Sequence, residues 1–372
     1  MESASVPVMS RRLPALFWLA TAAAPVPLGC SSADSEPNFE PWELPDLIAE
    51  EGFSLRVPEF ALRPGEESQN CYFVRAPDLN EGEDYFVSRV HMAVNPGSHH
   101  MNVFRVKSIL GLDPEDGEPI QLGEYEGTVI EGGNDFYFNP CWDSANWADW
   151  PLIANSQNSD IENPFTNWNL PEGVGIRITP GEMLMIQTHY VNYSVQTTPY
   201  GGRVGINFHR FQGSGTPIEL GTLFATQQSI RICQSTPNVT YSGTCRFPAG
   251  QVTIEAVNGH FHSRGKRFTV YTWDGRSDTQ PGEEAHFYTS NAWDDPPMRT
   301  NVGIDAPSGG GIWWNCEYQW IPPAIETCSN VNDKDPQQQG DCCYTFGGNV
   351  DVGEHCNVFL YYYPRSDDVF CN

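Results

Sequence analysis

Two histidines, His260 and His262, stand one residue apart in the β-type stretch Ile254–Trp273, IEAVNGHFHSRGKRFTVYTW. Side chains at i and i+2 of a strand point to the same face, so this pair offers two imidazoles side by side on a rigid element. Two such rings make two thirds of a three-histidine site for copper or zinc, with the third ligand arriving from elsewhere in the fold. Taken alone, the pattern fits a solvated His-x-His equally well. The rest of the chain adds a second pair, His99–His100, and two well-placed single histidines, His189 and His355.

The elements that must position these rings read as strands. His99 and His100 lie in YFVSRVHMAVNPGSHHMNVFRV, residues 85–106. Neighbours on a regular strand face opposite ways, so both serve one metal only if the backbone bulges; otherwise one points inward and one outward. Asn95-Pro96-Gly97 supplies an irregularity at the right place. Residues 172–193, EGVGIRITPGEMLMIQTHYVNY, read as two strands joined by the turn Thr179-Pro180-Gly181. On the second of them Met185, Gln187 and His189 share a face, and His189 by itself fits a hydrogen-bonded core residue. His355 precedes Cys356 and the β-prone run NVFLYYY; a neighbouring disulfide would hold it rigidly, as a ligand requires. His91, His209 and His286 have no partner pattern and read as structural or exposed.

Composition bounds the whole. With 34 Gly, 30 Pro, 12% aromatic residues and few helical periodicities, the chain is expected to be all-β. A net charge of −27 argues against nucleic acid and anionic membrane surfaces, which need a basic footprint. Residues 1–35 read as an export signal: Arg11 and Arg12 precede an apolar run, and Pro27-Leu28-Gly29-Cys30 resembles a bacterial lipoprotein signal with Cys30 as the lipidated residue. A plain secretory cut near Ala22-Ala23-Ala24 is the alternative. Eleven cysteines become ten once Cys30 carries lipid, enough for five disulfides in an oxidising compartment. The expected place is therefore the bacterial cell envelope, with membrane attachment only through that terminus. Residues 36–52 read as a connecting segment, and the remaining length suggests two domains, 53–212 and 213–372.

HHMNVF, GVGIRITPGEMLMIQTHY, His-x-His before RFTVY, and FGG followed by EHCNVFLYYY together resemble the copper type II, ascorbate-dependent monooxygenases, the family of peptidylglycine α-hydroxylating monooxygenase and dopamine β-monooxygenase. The resemblance runs over roughly residues 60–372, with the motifs in family order. It implies two tandem jelly-roll-type β-sandwich domains, one copper on each, facing across a solvent-filled cleft. His99, His100 and His189 would bind an electron-transferring copper, with Gln187 beside it. His260, His262 and His355 would bind the copper that activates O2 and attacks a C–H bond of a small organic or peptide substrate, with ascorbate or another reductant reloading both. Cys245–Cys371 and Cys316–Cys356 match family disulfides.

Three features depart from the family. His355 stands where the family has a methionine, and a third imidazole favours Cu(II) more than a thioether does; Met298, a remote substitute ligand, reads better as a loop residue. Asn258 and Phe359 occupy the places of an arginine and a tyrosine that hold peptide carboxylates, with only Asn357 kept, so glycine-extended peptides are not the expected substrate. The usual partner of Cys71 is missing, which leaves Cys141 to pair with it, and leaves Cys233, Cys328, Cys342 and Cys343 with three possible connectivities. Two other functions stay open. One is a non-enzymatic copper-binding or delivery lipoprotein. The other is a zinc hydrolase, for which Glu354 is the nearest base in sequence, flanking a ligand.

Overall fold

Alternating and continuous apolar runs become strands throughout. The computed structural model describes residues 42–106, 129–132, 150–192, 201–322 and 341–372, apart from 159, 161, 349 and 351. The signal stretch with Cys30, and also Cys141 and Cys328, lie outside the described residues. The described residues are all-β, with twenty-three strands, one 3-10 turn at Glu283–Ala285 and no α-helix.

Two sheets use residues up to Glu219. Their strands are β1 (Gly52–Phe60), β2 (Glu67–Arg75), β3 (Tyr85–Val94), β4 (Ser98–Arg105), β5 (Val129–Gly132), β6 (Leu152–Ser156), β7 (Phe165–Asn169), β8 (Val174–Ile178), β9 (Met183–Val191), β10 (Gly202–Arg210) and β11 (Ile218–Glu219). One sheet runs β1-β10-β3-β8-β11 with β7 also on β3, and the other runs β5-β2-β9-β4-β6. The turn at Gly181 (φ 73°) thus links strands of different sheets, and β8 and β9 are not a hairpin.

Three further sheets follow. Their strands are β12 (Gly221–Thr226), β13 (Arg231–Cys233), β14 (Asn238–Arg246), β15 (Val252–His260), β16 (Gly265–Trp273), β17 (His286–Ser290), β18 (Ile304–Ala306), β19 (Gly311–Gln319), β20 (Cys343–Phe346), β21 (Gly353–Glu354), β22 (Asn357–Tyr363) and β23 (Phe370–Cys371). They order as β12-β22-β15-β18, β13-β20-β21 and β17-β16-β19-β14-β23.

The sheet β12-β22-β15-β18 explains why NVFLYYY is apolar without alternation. Val358, Leu360 and Tyr362 belong to one buried cluster, with Phe268 and Trp314. Phe359 and Tyr361 belong to another, with Trp168 and the residues of the first two sheets. A strand covered on both faces has no polar side to show. The segment before β1, expected as a connector, is packed: Trp42 and Leu44 are buried against Ala93, with the Arg203 guanidinium 4.1 Å from the Trp42 ring centre.

Candidate metal centre

β4 and β9 lie side by side, buried along almost their whole length. Ser98 pairs with Tyr190 and His100 with His189, so His99 is the extra residue of a β-bulge. Gly97, at φ 90°, supplies the turn just before it. The bulge lets adjacent His99 and His100 share a side, with ring centres 5.5 Å apart. His189 reaches the same place, its ring 5.0 Å from His99 and 4.8 Å from His100.

His260 ends β15, and His262 lies in the connection by which the chain leaves that sheet for β16. A corner residue needs its backbone held. Glu354, fully buried, accepts the main-chain N–H groups of His262 and Arg264, each at 2.9 Å. Burial pushes this carboxyl up to about 7, against the pull of Arg264 and the two N–H groups. His355 sits between β21 and β22, its carbonyl accepting from the Tyr318 hydroxyl and its neighbour Cys356 bonded to Cys316.

All six rings meet in one buried place. His99 lies 4.8 Å from His260 and 5.6 Å from His262, centre to centre, and His262 lies 4.3 Å from His355. None is more than 5% exposed. The solvent-filled cleft expected between two histidine sets is replaced here by ring-to-ring contact. Two trios have ligand atoms within 4.8 Å of one another: His99, His100 and His260, and His260, His262 and His355. The second is the expected trio. The first has His260 in place of His189, whose Nε2 donates to Glu67 Oε1 at 2.6 Å.

The chemistry of the cluster suits a soft-to-borderline cation. Burial first, then neighbouring histidines, holds His99, His100, His260 and His262 well below the usual imidazole range, and burial takes His355 down to about 3. Neutral rings carry the lone pairs that metals bind. Both nitrogens of His99, Nδ1 of His100 and His189, and Nε2 of His262 are buried without a hydrogen-bond partner. Each such atom costs about 1–3 kcal/mol if left bare, and a bound metal would relieve that cost. His260 Nε2 and His355 Nδ1 are 3.2 Å apart, so the two residues would hold one ion together.

The other expected residues are placed as follows. Gln187 accepts from Asn102 Nδ2 at 3.0 Å, behind the first histidine pair. Asn258 is fully buried and its amide is committed, donating to the Pro296 carbonyl at 3.2 Å and accepting from Gln157. Asn357 pairs with His260 across β15 and β22, and Phe359 packs on Phe224 with its ring 6.4 Å from His260. Met298 packs against the first core. Glu354 turns its oxygens to the backbone and not to the space among the rings. Cys245–Cys371 and Cys316–Cys356 are both formed, and Cys233 pairs with Cys343, which takes Cys233 and Cys343 out of the nearby group with Asp341 as metal ligands. Cys71 is disulfide-bonded.

Glu67 and Gln157 were not legible as site residues. Glu67 meets His189 across 122 positions, and Gln157 follows β6 in a polar loop with no pattern of its own. No protein-family model matches this chain, and no curated protein matches it.

Proposed function

We propose that the chain is a copper-dependent monooxygenase, built as two β-sandwich domains, that hydroxylates a C–H bond using O2 and an external one-electron reductant of the ascorbate kind. The observation that carries this reading is the convergence of six buried imidazoles, of which His99, His100, His189 and His262 each present a buried nitrogen with no hydrogen-bond partner. His99, His100 and His189, through its bare Nδ1, would hold one copper; His260, His262 and His355 would hold the other. Copper supplies the one-electron steps and O2 activation that no side chain provides. The chain's own part is to keep the rings neutral, orient them from strand ends and exclude water.

The test is metal content and the Cu(II) EPR signal before and after ascorbate, followed by reductant-dependent O2 uptake. Two coppers per chain, both bleached, with O2 consumed, support the proposal. Zinc retained in preference, or no redox response, overturns it.

A second reading is a copper-binding or delivery protein of the cell envelope. It is favoured by the closeness of the rings and by Asn258, whose amide is already engaged. Tight copper binding without O2 uptake selects it. The disulfides, three of them with both cysteines among the described residues, suit an extracytoplasmic place under either reading.

A further inference from the structure

Gln157 lies 2% exposed just past the end of β6, a strand that pairs with β4. Its Oε1 is 3.1 Å from His260 Nδ1 and its Nε2 bonds Asn258 Oδ1. We propose that Gln157 is a positioning residue that fixes His260 in its Nδ1–H tautomer, leaving Nε2 as the single metal-binding atom.

The orientation of every group follows from one main-chain carbonyl. Pro296 O can only accept, so the Asn258 side-chain nitrogen faces it. Asn258 Oδ1 is then the end that faces Gln157, and it requires the Gln157 nitrogen. Gln157 therefore turns its oxygen to His260 Nδ1, which must carry the proton. An amide flip at either residue would set two acceptors or two donors against each other. His260 Nε2, left without a proton, faces His355 Nδ1 at 3.2 Å.

His262 is set in the same sense, its Nδ1 lying 3.1 Å from the Gly353 carbonyl. His260 differs because its anchor comes from the sheet that also carries His99 and His100. A ligand on β15 is thereby locked by a residue beside β6. With one lone pair, His260 completes only one of its two trios at a time, so two metal ions need His189 to close the other.

Only the metal consequence rests on the proposed function, because the tautomer can be read without metal. In metal-free protein labelled with 15N-histidine, and assigned through the backbone, His260 should show a protonated Nδ1 and a bare Nε2. A protonated Nε2 overturns the relay, whatever the protein does with copper. In Gln157→Met the exclusive Nδ1–H state should be lost. Copper held by the His260 trio should bind about 10–100-fold more weakly, and pulsed EPR should show a changed coupling to the remote imidazole nitrogen. Unchanged affinity together with an unchanged remote-nitrogen signal overturns the positioning role. If wild type binds no copper at all, the copper reading fails and the NMR result still decides the relay.

Discussion

At the scale of single residues, His189 decides how many ions the cluster can hold. Its ring touches His99 and His100, yet its Nε2 is given to Glu67, which leaves Nδ1 as the atom facing the cluster. A carboxylate on the far nitrogen orients a ligating imidazole and strengthens it as a donor. His189→Ala should lower copper from two per chain to one, measured after dialysis, and Glu67→Ala should weaken that same copper about 10–100-fold in chelator competition. Two tightly held coppers in His189→Ala would exclude it as a ligand. The rings also set an acid limit. Five of them titrate below their unfolded value of 6.5, so below that value the unfolded chain binds more protons and stability falls as pH falls. Glu354, raised to about 7 from 4.5, acts in the opposite sense over that interval, but it is one group against five. Metal-free protein should therefore lose stability as pH falls below 6.5, with the His355 part continuing down to about 3, in urea titrations at stepped pH. A flat profile would mean that the rings are not buried neutral.

At the scale of elements, the site depends on irregular places in regular strands: the bulge at His99 and the corner after His260. The corner stands on Glu354, whose two oxygens take two main-chain N–H groups and lie 3.6 Å from the Arg264 guanidinium. Removing one partner of a buried pair leaves the other uncompensated, at about 3–5 kcal/mol. Glu354→Ala should lose about that much in denaturant unfolding with disulfides intact, and should release His262 from any bound metal. A loss below about 1 kcal/mol would show that the corner holds itself. The strands behind both places were legible from local pattern. The β-type run around His-x-His became β15 and β16, with only His260 of the pair on a strand and His262 in the connection; Asn95-Pro96-Gly97 announced the irregularity before His99, and the apolar run after Cys356 marked β22. What local pattern could not carry was which sheet each strand joins. β8 and β9 read as two strands joined by a turn and belong to different sheets, parting at Gly181, and β15 and β16 part likewise after His260. Gln157 acts across such a junction and Glu67 across a strand pairing that spans 122 positions, which is why neither stood out.

At the scale of the whole molecule, the sheet β12-β22-β15-β18 carries His260 at the end of one strand and follows His355 with another, and it contributes side chains to both buried clusters. Tyr361 is its clearest tie to the first two sheets. The ring lies 4.6 Å from that of Trp168, and its hydroxyl donates to Asn155 Oδ1 at 2.6 Å, on the strand that leads to Gln157. The same contact that joins the sheets thus lies behind the relay to His260, so docking and metal geometry should fail together. Tyr361→Phe removes only the hydroxyl and leaves a buried acceptor unpaired, about 1–3 kcal/mol. Tyr361→Ala also opens a cavity, about 3–5 kcal/mol in total. Calorimetry should show one unfolding transition in wild type, a lower one in Tyr361→Phe, and in Tyr361→Ala a split, because the later sheets keep the disulfides Cys233–Cys343, Cys245–Cys371 and Cys316–Cys356 while the first two sheets lose the support of this ring. Copper in the His260 trio should weaken in the same order. A Tyr361→Ala protein that unfolds in one transition at the wild-type temperature would mean that the two clusters are not joined through this sheet.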